Sequence, residues 1–514
     1  MKYILRPRQK TAVDRIDDFI SNSKKNHGIF VYPTSFGKSL VIANIASKYP
    51  EKHFINVTNS KELLKQNYEK YTSYGFEANI CSASLGEVGV GKVTFATIGT
   101  VVKFVEYFKN KEVVILDDEC QEGSASGSQL HSFIKKLKNY KLVGVTATPF
   151  RLSQGMEGTS LKMMNRDRKC IYKTIEDVVQ ISEVVEQNYW SKLLYDIKNV
   201  DEEDLKLNTS GTEFTDESIQ KFKEANDINN RIVEEIEDLI KKGRKSILVS
   251  VPFISDAQEI SSKLGICEAV YSGMDTKDRD RIINDFKSLK LKVVVQCKLL
   301  SVGFDHPQLD AIIMAKPTNS LTFYYQYLGR GVRIHPDKKD CIVVDLSGNF
   351  KRFGKIETLS IENSDLTKGW AVFNEDMLLS NFPLNTNNRP TKKSLQAKLD
   401  WEISLKENKT QLNDTDVKFH FGKFKDKKVS EVMRENKSYL TWLLDQKDFN
   451  WYGESGRKLK QCIQKHLGVF LEEEKQVVKT FLSSKEIVNN YTNSIKTIQD
   501  LKNNNPTIEK YQHR

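Results

Sequence analysis

Several familiar devices are missing from this chain. Its seven cysteines stand at 81, 120, 170, 267, 297, 341 and 462, an odd count with no Cys-x-x-Cys pair. That spacing excludes a disulfide framework and a zinc ribbon or finger, and predicts buried thiols in a reducing compartment, with no zinc. No apolar stretch approaches the length of a membrane span, so no membrane partner is expected. The opening Met1-Lys2-Tyr3-Ile4-Leu5-Arg6-Pro7-Arg8 holds no apolar core of a signal peptide, which predicts a cytoplasmic protein. Negative charge is in deficit. The formal net charge is +11 and the pI about 9.0, favouring a polyanionic partner, nucleic acid first. The excess is uneven: residues 391–514 hold 24 Lys and Arg against 17 Asp and Glu.

What is present begins with length. The 514 residues predict about three or more domains, and 39% hydrophobic with 29% charged residues reads as globular. The chain is organised around Pro33-Thr34-Ser35-Phe36-Gly37-Lys38-Ser39. The apolar run Gly28–Tyr32 predicts a strand before it, and Leu40–Ala46 a helix after it. A strand, a tight loop and Gly-Lys-Ser at a helix start form a phosphate cradle. Backbone N–H groups from Thr34 to Gly37 would meet phosphate oxygens, Lys38 would reach the β/γ-phosphates, and Ser39 would hold Mg²⁺. The full pattern wants Gly at 32, where Tyr32 stands, and Ser35 occupies a place often held by a second Gly.

Upstream, Gln9 opens an amphipathic helix and is a candidate adenine reader, since a Gln amide bonds adenine bidentately. Downstream, strand Phe54–Val57 ends in Thr58-Asn59-Ser60, and Val93–Thr97 is a further strand with a polar tip. Such tips make good phosphate contacts; Ser60 read alone is a helix cap. Val113–Leu116 suits a buried parallel strand and ends in Asp117-Asp118-Glu119-Cys120-Gln121. Carboxylates at the end of such a strand sit where α/β sheets bind ligands: one holds Mg²⁺, the next orients or deprotonates water. Asp117 leaves the register of the acid pair open by one residue. Lys141–Val145 then ends in Thr146-Ala147-Thr148-Pro149.

Residues 1–150 resemble the first motor domain of a superfamily 2 helicase. Gln9 is similar to the Q motif, 33–39 to motif I, Thr58-Asn59-Ser60 to motif Ia, Asp118–Gln121 to a DExH-type motif II, and Thr146–Pro149 to motif III. Gln121 stands where His is usual. A second strand–helix alternation starts at Ser246–Ser250 and includes Val293–Cys297 and Ala311–Ala315. Gly303-Phe304-Asp305 resembles motif V, and Gln326 through Arg333 resembles motif VI. Two guanidinium forks three residues apart suit a phosphate shared across a cleft. The nearest relatives implied are phage-type recombination and branch-migration helicases, with restriction-enzyme motor subunits nearby. A phage-encoded protein would work in the host cytoplasm.

The fold implied is α/β: two tandem RecA-like P-loop domains, each a parallel sheet flanked by helices, plus a small α+β C-terminal domain. The boundaries expected are 1–165 for motor domain 1, 166–365 for a connecting segment and motor domain 2, 366–410 for a linker, 411–470 for a basic nucleic-acid-binding module and 471–514 for a polar helical tail. Segment 417–445 resembles the small C-terminal module of exodeoxyribonuclease X-like proteins. Alternating apolar residues there suggest a basic hairpin, with Lys423, Lys425 and Lys427 on phosphates and Phe424 stacking a base. No acidic cluster in it would cut DNA.

The resemblance implies an ATP-dependent DNA helicase or translocase. Lys38, Asp118, Glu119, Gln326, Arg330 and Arg333 would be catalytic. Gln9, Thr34, Ser35, Phe36, Gly37, Lys38, Ser39 and Asp305 would bind or sense ATP, and Ser39 with Asp118 would hold Mg²⁺. Thr58, Asn59, Ser60, Thr97 and Lys298 would grip one strand, and Gln121, Thr146 and Thr148 would couple the two activities. Partners expected are single-stranded, forked or branched DNA and replication or recombination proteins. The alternatives are a double-strand translocase that never separates strands, an RNA helicase, and a non-enzymatic nucleic-acid-binding scaffold.

Overall fold

The computed structural model describes residues 4–49, 51–155, 158–297, 304–381, 389–400, 402–403, 416–445 and 455–467. They form two units, 1–396 and 397–514.

The first unit holds two parallel sheets. Strands β1 (His27–Val31), β2 (His53–Thr58), β3 (Asn79–Ser82), β4 (Glu87–Val88), β5 (Val93–Thr97), β6 (Glu112–Asp118) and β7 (Asn139–Thr146) are followed by a hairpin, β8 (Phe150–Gly155) and β9 (Gly158–Met163), and by β10 (Ile175–Val178). The first sheet runs β10-β1-β7-β6-β2-β5-β3-β4, parallel except where β4 pairs antiparallel with β3. The near-continuous apolar runs of β1, β2 and β6 are what burial on both sheet faces demands. The carboxyl ends of β1, β7 and β6 lie side by side, with Val31 opposite Thr146 and Asp118 opposite Val145. Loops at these ends form the crevice where open α/β sheets take ligands.

The second sheet contains β11 (Lys192–Ile197), β12 (Ile247–Ser250), β13 (Cys267–Tyr271), β14 (Val293–Cys297), β15 (Ala311–Met314) and β16 (Asp340–Asp345), in order β11-β16-β15-β12-β14-β13, all parallel. One face packs on the helix Ile228–Lys241 through the stripe Ile232, Ile236 and Leu239, plain core as their spacing predicts. The other face shares its buried cluster with the first lobe, joining Leu248 and Ile312 to Ile29 and Val31.

Two boundaries move. Strand β10 completes the first sheet against β1, so the first lobe runs past 165. Its register is held by Arg8, which pairs with Asp177 at 3.1 Å and Glu183 at 3.1 Å. Nor does a linker begin at 366. Strands β17 (Leu359–Ser364), β18 (Gly369–Asn374) and β19 (Met377–Leu378) form an antiparallel sheet around buried Ala371, Phe373 and Leu378. The continuous apolar run Trp370–Phe373 carries that signal.

The second unit is built around Phe419, Phe424, Val429, Val432, Leu440, Leu443, Leu459 and Ile463. The basic stretch is a tight loop closed by a single bridge, Lys418 to Lys428, with Gly422 and Asp426 at φ of 67° and 70°. Helices Val429–Glu435, Lys437–Asp445 and 455–467 complete it. Phe424 is 6% exposed and belongs to this core, so it stacks on protein, not on a base. Asp416, Cys462 and His466 lie together inside the unit, and Asp416 Oδ1 accepts from the Ser430 amide at 3.1 Å. The tail 471–514 lies outside the described residues. No described helix is long and apolar enough to cross a membrane.

Candidate nucleotide site

The loop after β1 explains both departures from the usual phosphate-loop pattern. Tyr32 has no exposed surface; its ring lies 5.1 Å from Phe36, and its hydroxyl donates to the Ala12 carbonyl at 3.4 Å. A side chain at 32 therefore points into the core behind the loop and leaves the phosphate side open. Ser35 takes the left-handed conformation at φ 60°, the turn that elsewhere selects glycine, at modest cost. Gly37, at φ 91°, has no such latitude: a Cβ there would sit 2.4 Å from Gln9 Nε2. Helix Lys38–Lys48 begins immediately after, with its N–H groups facing the loop.

Gln9 braces this loop. Its Nε2 donates to the Phe36 carbonyl at 2.6 Å and its Oε1 accepts from the Arg6 amide at 2.9 Å. The bidentate face expected for adenine is thus spent on the protein.

The acid pair resolves the open register. Asp117 turns away from the loop and accepts from the Tyr172 hydroxyl at 2.7 Å. Burial pushes its pKa up to about 7. Asp118 faces the loop side: Oδ2 accepts from Asn67 Nδ2 at 2.8 Å, while Oδ1 is buried with no hydrogen-bond partner. Burial raises its pKa, and Lys38 works against that rise. Glu119 adopts a left-handed φ of 56°, which swings its carboxylate into the crevice. There it accepts from Lys38 Nζ at 3.2 Å, Gln121 Nε2 at 2.9 Å and Gln326 Nε2 at 3.4 Å. Burial opposes the ionised form, but these donors, Lys38 foremost, hold its pKa below the ordinary value. Burial also opposes the charge on Lys38, and Glu119 and Asp118 outweigh it and raise its pKa. Gln121 is tied to β7: the Thr146 hydroxyl donates to Gln121 Oε1 at 2.6 Å, and the Thr148 amide donates to Thr146 Oγ1 at 2.9 Å.

The second lobe reaches this cluster directly. Helix Leu321–Leu328 carries Tyr325 and Gln326 to the crevice. The Thr34 amide donates to the Tyr325 hydroxyl at 3.2 Å, and Trp190 Nε1, just before β11, donates to the Thr34 carbonyl at 2.9 Å. Gly329 packs so closely that a Cβ would lie 3.0 Å from Thr34. Arg330 and Arg333 follow in a turn beyond the helix end, so a turn and not one helical face aligns them. Both donate to the Phe304 carbonyl, at 2.6 and 2.8 Å, and Arg333 pairs with Asp305 at 3.0 Å. Burial lowers the pKa of Arg330, with Arg333 adding to it and Glu119 opposing.

Similarity to known proteins agrees with this geometry. Residues 2–151 match the type III restriction enzyme res subunit family, and 230–335 the helicase conserved C-terminal domain. The two matches fall on the first and second lobes in chain order, so the chain is similar to helicase motor domains over both. Residues 419–448 match the exodeoxyribonuclease X-like C-terminal family. Among relatives, a "51.5 kDa protein" of a Lactococcus phage is 24% identical over 66% of this chain and 69% of its own. The "Putative ATP-dependent helicase IRC3" of Saccharomyces cerevisiae is 21% identical over 67% of this chain and 52% of its own. The ATP-dependent type ISP restriction-modification enzyme LlaBIII bound to DNA superposes with a TM-score of 0.50 at 14% identity, over 68% of this chain and 28% of that one. The chain thus spans about half of the yeast relative and under a third of the restriction enzyme.

The strand-end residues named from the sequence are less uniform. Thr58 is 1% exposed and its hydroxyl donates to the Ser60 carbonyl at 2.9 Å, so that side chain has no hydroxyl to offer a phosphate. Ser60 caps the helix Lys61–Ser73 by accepting from the Leu63 amide. Asn59 hydrogen-bonds Glu122, beside the acid pair. Thr97 shares a hydrogen bond with Thr100 at 3.1 Å. Lys298 and Gly303 lie outside the described residues. Lys423 and Lys425 are exposed, and Lys427 pairs with Glu435 at 2.6 Å. Three participants, Asn67, Tyr325 and Trp190, belong to no motif of the sequence. Only Tyr325 carries a signal there, its place beside Gln326.

Proposed function

We propose that the protein is an ATP-dependent DNA helicase or translocase whose nucleotide site lies between the two lobes of the first unit. The observation that carries this reading is the single carboxylate of Glu119, which accepts from Lys38 and Gln121 of its own lobe and from Gln326 of the other. A triphosphate entering between Lys38 and Glu119 would take the ammonium for itself. Glu119 would then be released to orient or deprotonate a water. The backbone N–H groups from Thr34 to Gly37 would bind phosphate oxygens, and the Tyr325 hydroxyl now on Thr34 would give way. Arg330 and Arg333 would meet the charge that develops on the transferred phosphoryl group.

Mg²⁺ fits the donor set. Asp118 Oδ1 is a buried oxygen with no partner, and the Ser39 hydroxyl stands at the start of the helix. When bound, the ion neutralises and orients the phosphates.

The chain Thr146–Gln121–Glu119 links the catalytic carboxylate to β7 and the hairpin that follows, and Asn67 links Asp118 to the helix that follows Asn59 and Ser60. These links support coupling between the nucleotide and a strand held on backbone phosphates, which predicts little sequence preference. DNA is favoured by the exodeoxyribonuclease X-like match and by the restriction-subunit match of the first lobe. The latter also supports a second reading, translocation on duplex DNA without strand separation. The test is ATPase rate on single-stranded, duplex, forked and junction DNA and on RNA, beside unwinding and triplex displacement. DNA-stimulated hydrolysis abolished by Lys38→Ala, with DNA binding retained, is expected. Hydrolysis unchanged in Lys38→Ala overturns the site, and stimulation by RNA alone overturns the substrate.

A further inference from the structure

The C-terminal unit contains a row of aromatic rings that begins in its core and ends in solvent. Phe419 lies 6.5 Å from Phe424, Phe424 lies 4.8 Å from Tyr439, and Tyr439 lies 5.6 Å from Trp442 at an interplanar angle of 31°. The first two rings are buried, while Trp442 is 53% exposed. Burial of an indole is the ordinary outcome for so large an apolar group; here the helix Lys437–Asp445 sends Leu440 and Leu443 inward and turns Trp442 out.

The lysine loop borders the same row. Residues 417–428 contain five lysines and one aspartate. Lys423 and Lys427 lie 5.7 and 5.9 Å from the Phe424 ring, and a Cβ on Gly422 would lie 3.4 Å from the Tyr439 hydroxyl. An exposed ring backed by a second ring, with ammonium groups alongside, matches what a single strand presents: a base with a π-face and a phosphate within one nucleotide's reach.

We propose that Trp442, supported by Tyr439, is a base-stacking platform for single-stranded DNA, with Lys423 and Lys425 holding the adjoining phosphates. The platform takes the role that sequence alone gives to Phe424. Stacking is tolerant of sequence, which suits a motor that must accept whatever strand it meets. The assignment rests on the reading of the protein as a DNA-binding motor, and its test is arranged to fail separately.

The test is fluorescence anisotropy of labelled oligo(dT) with the full chain carrying Lys38→Ala, so that turnover plays no part. Adding Trp442→Ala is expected to weaken binding about tenfold and leave its salt dependence unchanged, while Trp442→Tyr retains most of the affinity. The pair Lys423→Ala and Lys425→Ala is expected to lower the slope of affinity against salt by about one to two. Unchanged affinity in Trp442→Ala overturns the platform and assigns the exposed ring to another partner. Equal loss in Trp442→Ala and Trp442→Tyr also overturns it, because a structural ring and not a stacking face would then be at work. Absence of DNA-stimulated ATPase in the unmodified chain would sink the motor reading but leave this comparison standing.

Discussion

The two lobes bring different chemistry to their shared crevice. In the first, a row of side chains runs through the lobe: Thr146 holds Gln121, Gln121 holds Glu119, Glu119 holds Lys38, and Asn67 holds Asp118, with Gln326 of the second lobe adding a bond to Glu119. In the second, Arg330 and Arg333 converge on one backbone carbonyl, that of Phe304. The first lobe holds its carboxylates largely through its own side chains. The second holds both guanidinium groups on that carbonyl, with Asp305 adding an ion pair to Arg333. The proposed motor would need both, since hydrolysis requires fixed geometry and stepping requires one wall of the site to let go.

Substitutions can sharpen or break this contrast. The largest effect is expected from Arg330→Ala, which should lower the ATPase turnover by about 10³ or more with nucleotide binding retained, read by steady-state kinetics beside nucleotide-analogue titration. Unchanged turnover would remove the second lobe from catalysis. Glu119→Gln keeps the shape and one acceptor oxygen but not the base, and should cost about 10² to 10⁴ in turnover with ATP affinity nearly unchanged. Tyr325→Phe removes the hydroxyl that competes for the Thr34 amide, so ATP should bind a few-fold tighter, by about the worth of one hydrogen bond. Weaker binding would show that the hydroxyl serves the nucleotide.

A pH experiment probes the first lobe alone. Asp117 has a folded pKa raised to about 7, above its ordinary value of 3.8. The folded state therefore holds the proton more tightly. Its contribution is present at acid pH and is lost as pH rises from about 4 to about 7. Asp117→Asn should remove that fall, so denaturant melts should find the variant more stable than the parent at pH 8 and no more stable at pH 4. The smallest effect is expected from Ser35→Gly, which relieves a left-handed serine and should stabilise the lobe by about 0.5–1 kcal/mol at most.

Much of the site is legible in the amino-acid sequence. Gly37-Lys38-Ser39, Asp118-Glu119 and the arginine pair are short polar motifs at strand or helix ends, where composition changes abruptly and few residue types can do the work. Thr58 and Phe424 mislead for a common reason. A polar strand tip and an aromatic in a basic loop look exposed in sequence, yet one hydroxyl closes a turn and one ring enters a core. Strand β10 gives no clear sequence signal because Ile175–Val178 mixes apolar with acidic residues, and Arg8, distant in sequence, supplies the countercharge that holds it.

Sequence alone determined that this chain has two lobes built on parallel strands, the first with a phosphate loop at a strand's carboxyl end, because a run of apolar residues followed by small polar ones can be buried in few other ways. It did not determine which atoms meet across the crevice. The turn of Asp117 away from the loop, the reach of Gln326 and Tyr325 to the first lobe, and the exposure of Trp442 depend on backbone directions and on neighbours distant in the chain, and only the folded chain decides those.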